Sequence, residues 1–287
     1  MAKIKEHAVA LFGRAREAGL SLPAAAVSYN AFLALVPLVL ALLGVASMIG
    51  QSEAAVVRVE RALEPVVPGS VVQFIVDLMR ESGDRVGGSG PVLIVVSALV
   101  ALFLGSRAVV ALQRAVASVD HQSEARQGVS IRLTAAALTV AGGLALLITS
   151  VLLVAGRETF AFLAHLTGFS PLDELWAWLR VPVSALGLFA FLIAFYHFGP
   201  PRPLDRSWIA ALVATVVAVL GSVGFGLYLS LSPDLGPTFG TLGAVAVALV
   251  WMYVGAMAIL LGAVVATYVR DEMASPHPQL EIQADGS

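Results

Sequence analysis

Charged side chains are spread unevenly along this chain and leave six long stretches that contain none. From one Asp, Glu, Lys or Arg to the next, uncharged runs cover Ala18–Ser52, Val86–Ser106, Leu133–Gly156, Val181–Pro201, Ser207–Pro233 and Leu235–Val269, each 21 to 35 residues long. A helix rises about 1.5 Å per residue, so about 20 apolar residues cross a hydrocarbon core about 30 Å thick. Every run allows one crossing, and none allows two with a turn between. A soluble protein with greasy core helices would keep a polar stripe at helical period. Ala244–Leu261 instead is apolar all round, with Trp251 and Tyr253 as its only large polar-tipped side chains. The expected fold is all-α: a polytopic membrane protein with about six transmembrane helices in a single domain, residues 1–274. The spans are expected near 25–49, 90–106, 133–155, 181–199, 207–231 and 241–269, followed by a disordered tail over 275–287. The charged lead-in to Glu17 and the length of the first run point to an uncleaved span and not a signal peptide.

Six crossings put both ends on one side. Lys and Arg then divide eleven to six in favour of that side, with Lys3, Lys5, Arg14, Arg16, Arg107, Arg114, Arg126, Arg132, Arg202, Arg206 and Arg270 on it. The positive-inside rule therefore predicts cytoplasmic termini. The opposite side carries the longest connection, an external helical loop over 51–90. Val56, Val59 and Leu63, then Val71, Val72, Ile75, Leu78 and Met79, repeat at helical spacing, with Pro65 and Pro68 between them. That pattern predicts two amphipathic helices and a glycine-rich return over Gly83–Pro91. Thr159–Leu172 is too short to span, which suits an interfacial helix or a re-entrant turn.

The composition excludes several classes of function. The sequence has no cysteine, hence no disulfide framework or thiol chemistry, and its net charge of −2 offers no basic surface for nucleic acid. His7, His121, His165, His197 and His277 are scattered, with no pair at metal-ligand spacing. No Gly-x-Ser-x-Gly elbow or phosphate-binding Gly-rich loop with a lysine is present. No catalytic residue, cofactor or metal is expected.

The neutral polar residues remain. Ser28, Tyr29 and Asn30 enter the first span together, and Trp251 and Tyr253 lie in the last. A polar side chain in lipid must find a partner, so these five mark helix contacts or a polar substrate pathway. Pro37 frees the Leu33 carbonyl and predicts a helix kink, whereas Pro182 is expected to set an N-terminal turn. Arg107 and Arg114, seven residues apart, share one helix face; they either touch anionic lipid headgroups or serve only to set topology. Gly221, Ser222, Gly224 and Gly226, with Gly240, Gly243, Gly255 and Gly262, suit close helix packing.

Ala24-Ala25-Ala26-Val27-Ser28-Tyr29-Asn30-Ala31-Phe32-Leu33-Ala34-Leu35-Val36-Pro37-Leu38 resembles the first span of the YihY/BrkB family of six-helix prokaryotic membrane proteins. Gly105-Ser106-Arg107, Phe239-Gly240-Thr241-Leu242-Gly243, Leu249-Val250-Trp251-Met252-Tyr253 and Leu260-Leu261-Gly262-Ala263 are similar too, in order and spacing from Leu20 to Tyr268. The family's last span often continues with a Glu and an Asn where this chain has Val264, Val265 and Ala266, and Ala34 stands where a serine is expected. The family was once labelled ribonuclease BN, a name regarded as mistaken, and one branch is named for serum resistance. The resemblance implies a place in the cytoplasmic (inner) membrane of a prokaryote and envelope lipid handling, as a translocase or export partner.

Three functions fit this sequence. The first is a non-enzymatic transporter or translocase of lipid or another amphiphile, with membrane lipids as its partners. The second is a structural envelope protein that binds a partner through the loop 51–90. The third is a membrane-bound hydrolase or nuclease.

Overall fold

The computed structural model describes residues 13–14, 16, 18–48, 52–63, 68–86, 91–120, 129–167, 171–231 and 235–274. The expected tail, the histidines at 7, 121 and 277, and residues 87–90 of the expected Gly83–Pro91 return lie outside them, whereas 83–86 are helical. The helices are α1 (Ser21–Met48), α2 (Ser52–Leu63), α3 (Gly69–Val86), α4 (Pro91–Val119), α5 (Val129–Thr167), α6 (Pro171–Phe198), α7 (Ser207–Ser230) and α8 (Leu235–Ala274). There is no strand among the described residues. Six of the helices, α1 and α4–α8, carry stretches of 18 to 31 residues long and apolar enough to cross a membrane.

Local sequence sets the helix ends. Gly19 adopts φ 57°, the left-handed conformation that glycine takes without a Cβ clash, and its N–H closes a turn on the Arg16 carbonyl. This bend separates the helical residues Gly13, Arg14 and Arg16 from α1. Proline opens α4 and α6, at a position whose N–H has no intrahelical partner in any case. Gly199-Pro200-Pro201 closes α6. Helix continues through Pro37 and Pro182.

Two connections differ from the sequence expectation. Pro182 lies well inside α6 and does not begin it, and Thr159–Thr167 forms the last turns of the 39-residue α5. Leaving the helix would free backbone groups near lipid, so continuing the ladder satisfies more of them than a re-entrant turn would. Arg107 and Arg114, expected on one helix face, lie on the continuous α4.

The six long helices pack in a ring: α1 on α4, α4 on α5, α5 on α6, α6 on α7, α7 on α8, and α8 back on α1. α4 also touches α8 across the ring. α3 packs on α1 and α8, while α2 reaches from α1 and α3 to α5. The amphipathic pair thus bridges opposite parts of the ring at one end. The described N- and C-terminal residues meet at the other end, where Arg14 pairs with Asp271. That end is called the terminal face below, and the end bearing α2 and α3 the far face.

Candidate functional site

Burial divides the ring into two unequal halves. At the terminal face one apolar cluster draws on all six long helices: Leu20, Ala24 and Val27 of α1, Leu112 and Val116 of α4, Leu138 of α5, Leu192 and Phe195 of α6, Ala211 and Ala214 of α7, and Leu260 and Ala263 of α8. A second cluster, toward the far face, joins Val39 and Leu43 of α1 and Ala248 of α8 to Val56 of α2 and Val71, Val72, Ile75, Val76 and Met79 of α3. Phe32 stacks on Phe74 there, at 6.0 Å between ring centres. None of the residues in this second cluster comes from α5, α6 or α7.

Those three helices lose burial as they leave the terminal face. No described residue of α5 beyond Leu138, of α6 before Ser184, or of α7 beyond Thr215 is buried. Helical spacing makes the change visible on a single face. On α7, buried Ala211, Ala214 and Thr215 are followed by half-buried Ala218, Ser222, Phe225 and Leu229. Neighbouring helices still touch here. Phe160 of α5 stacks on Trp176 of α6 at 5.3 Å, and the Trp251 indole N–H of α8 donates to the Ser222 hydroxyl of α7 at 3.2 Å.

A junction of α6, α7 and α8 closes the terminal half. Tyr196 is fully buried, and its hydroxyl donates to the Ile259 carbonyl at 2.5 Å. Gly262 sits one turn along, where a Cβ would overlap the Ala210 carbonyl and lie 2.8 Å from the Tyr196 hydroxyl and 2.9 Å from Ala214 Cβ. Only glycine allows this approach. The link from α6 to α7 folds over the junction, with the Leu204 N–H bonded to the Tyr196 carbonyl and Pro200 buried.

An ionic chain overlies the junction. Arg270 pairs with Asp120 at the end of α4, whose side chain is only 7% exposed. Arg270 also meets Asp271 at 3.0 Å, and Asp271 meets Arg14 at 2.8 Å. The Arg14 guanidinium lies 5.0 Å from the centre of the Tyr268 ring. Beside this chain is a dent lined by Leu204, Asp205, Arg206, Ala266, Thr267 and Arg270, too tight to admit a water.

The five expected pathway residues do not converge. Ser28 is buried and bonds the Ala25 carbonyl at 2.9 Å, and the Asn30 amide donates to the Ala26 carbonyl at 2.7 Å. Both satisfy themselves on α1. Tyr29 is 58% exposed, on the outward stripe that also carries Leu22, Leu33 and Val36. Trp251 packs against the far cluster and Tyr253 against the terminal one. Arg107 and Arg114 continue the exposed stripe of Val96, Val100 and Phe103 on α4, and so emerge where the lipid-facing surface nears the terminal face.

Sequence reading overlooked one polar residue. Gln113 is 1% exposed in α4, and neither of its amide atoms has a hydrogen-bond partner among the described residues; Thr215 Oγ1 is in the same position. Burying such a group unpaired costs about 1–3 kcal/mol. A search for charge passes over glutamine, although any amide inside a span deserves the scrutiny given to Asn30. Among the described residues, no three His, Cys, Asp or Glu side chains gather as a metal site would require.

Comparison with known proteins places this architecture. The family described as virulence factor BrkB matches residues 11–285, nearly the whole chain. The chain belongs to the BrkB family. Within reach of that family, it is 27% identical over 242 residues to the putative ribonuclease-like protein YfkH of Bacillus subtilis, covering 83% of this chain and 86% of YfkH. It is 27% identical over 269 residues to a UPF0761 membrane protein of Coxiella burnetii, covering 90% and 91%. A UPF0761 membrane protein of Delftia acidovorans is 24% identical over 271 residues, 91% of this chain but 61% of that longer relative. No solved structure matches. As a BrkB-family chain with six membrane-crossing helices, this is an integral, multi-pass membrane protein.

Proposed function

We propose that the chain is a non-enzymatic translocase that moves a lipid or similar amphiphile across or out of the cytoplasmic membrane, with its terminal face in the cytoplasm. One observation carries the reading: a ring of six apolar helices packed shut at one face and losing burial toward the other along α5, α6 and α7. A ring that is less buried along α5–α7, without a charged side chain in mid-membrane, suits an acyl chain, whereas an ion pathway needs compensating charge or carbonyls. The exposed Arg107 and Arg114 suit phosphate headgroups at the terminal interface.

The test is lipid scrambling in liposomes that contain the purified protein. Scrambling above the rate of protein-free vesicles is expected; an equal rate would count against translocation. Asn30→Leu should slow lipid movement more than it lowers stability, since the amide bonds only its own helix.

A partner-binding role has one specific support. Gln73, Asp77, Arg80 and Glu81 form an exposed polar face on α3, opposite its buried apolar face. Deleting residues 51–90 would strip the cover from Val39 and Leu43, so reversing charges on that polar face is the sounder test. If it abolishes function while scrambling persists, the envelope-partner reading gains.

A further inference from the structure

We infer that Arg14, Asp271, Arg270 and Asp120 form an ionic latch that holds the terminal face shut, and that its release opens the closed end of the pathway. The latch rests on the translocase reading for its purpose but not for its test.

Three observations converge on it. First, the charges come from parts of the chain far apart in sequence: the segment before α1, the end of α4 and the end of α8. They cross the ring along the line on which α4 touches α8, so the Arg270–Asp120 pair joins two of the six helices of the terminal cluster. Second, Arg14 arrives on a built hinge. Gly19 turns the chain through a left-handed residue, with open space where a Cβ would stand, and this bend lays the preceding turn back toward α8 and Tyr268. A strap on a single-residue pivot can leave without disturbing α1. Third, the latch lies over the Tyr196–Gly262 junction and beside the dent at Ala266 and Thr267, while α5–α7 are less buried toward the far face. Alternating access requires that a closed end have a way to open, and here the apolar packing is dense enough to need a polar release. A nearly buried carboxylate paired with a partly exposed guanidinium provides one, because the attraction weakens as water gains access to Asp120.

Gln113 fits the same picture. An amide that finds no partner among the described residues while the terminal face is shut gains one when water or a headgroup reaches it. That gain favours the open form and gives the latch something to hold against.

The absence of native cysteine makes the test direct. A single thiol is placed under the latch as Ala266→Cys, and its reaction with a membrane-impermeant maleimide is followed from the terminal face. It should react slowly in the otherwise unchanged protein. Adding Asp120→Asn should accelerate it at least about tenfold, the factor given by roughly one unit of lost pairing energy on the logarithmic scale. Asp120→Glu, which keeps the charge, should not.

A second variant, Arg14→Gln, leaves the Arg270–Asp120 pair in place, breaks the exposed pair with Asp271 and the contact with Tyr268, and should give a smaller acceleration. Unchanged labelling in both variants, each monodisperse, would overturn the latch. Accelerated labelling without any lipid scrambling would leave the latch standing and remove the translocase reading instead.

Discussion

The terminal and far halves of the ring are made from the same helices and the same kinds of residue, yet only the terminal half is packed by all six. In lipid there is no hydrophobic force pressing helices together, because an acyl chain is as apolar as leucine; association depends on close packing and polar contacts. The terminal half has both, in the Gly262 notch, the Tyr196 hydrogen bond and the Arg270–Asp120 pair. In the far half, α1 and α8 gain a comparable cluster only by recruiting α2 and α3, which leaves α5, α6 and α7 outside it. Helices that are all apolar enough to span thus differ in how much of each is buried, and the less buried half is the one proposed to accommodate movement.

Substitutions matched between the halves test this contrast. The largest difference is expected for leucine truncation. Leu260→Ala, at a fully buried site in the terminal cluster, should cost about 2–5 kcal/mol. Leu220→Ala, at a lipid-facing site 66% exposed on α7, should stay within about 0.5 kcal/mol. Unfolding in mixed micelles measures both, and equal losses would erase the distinction.

Glycine gives the next contrast. Gly262→Ala must push apart three helices and should cost about 1–3 kcal/mol. Gly224→Ala meets nothing within 4 Å and should be neutral or mildly stabilising. Tyr196→Phe removes one hydrogen bond, worth about 1 kcal/mol. Combined with Gly262→Ala it should cost less than the sum, because the lost hydroxyl is one of the atoms crowding the new methyl. The smallest effect is expected from Trp251→Phe, which loses the bond to Ser222 in the far half: about 0.6 kcal/mol of stability, with a larger fall in scrambling rate.

The six-helix class was legible because charge spacing reports directly on the solvent around each segment. The amphipathic helices α2 and α3 were legible for a related reason, since Val71, Val72, Ile75 and Met79 repeat at helical period. Helix ends were harder to read. Hydropathy marks where lipid begins, but Pro182 and Thr159–Thr167 show helices running on past that boundary, where the backbone still prefers its own hydrogen bonds. The meeting of Asp120 with Arg270 was hidden by their separation along the chain, although counting six crossings already puts the two charges on one face. Nothing local to Tyr196 announces a bond to Ile259 some sixty residues later. Tyr29, by contrast, carried a polar group that suggested the interior, yet the neighbouring Leu22, Leu33 and Val36 stripe turns it outward.

The proposed path, reached from the far face and shut at the terminal one, is tested most directly along α7. Single cysteines at Ala211, Ala218 and Ser222 occupy one helix face on either side of the change in burial. With a membrane-impermeant thiol reagent applied from the far face, Ala218→Cys and Ser222→Cys should react and Ala211→Cys should stay silent. Silence at all three positions, or equal reaction at all three, would contradict the account.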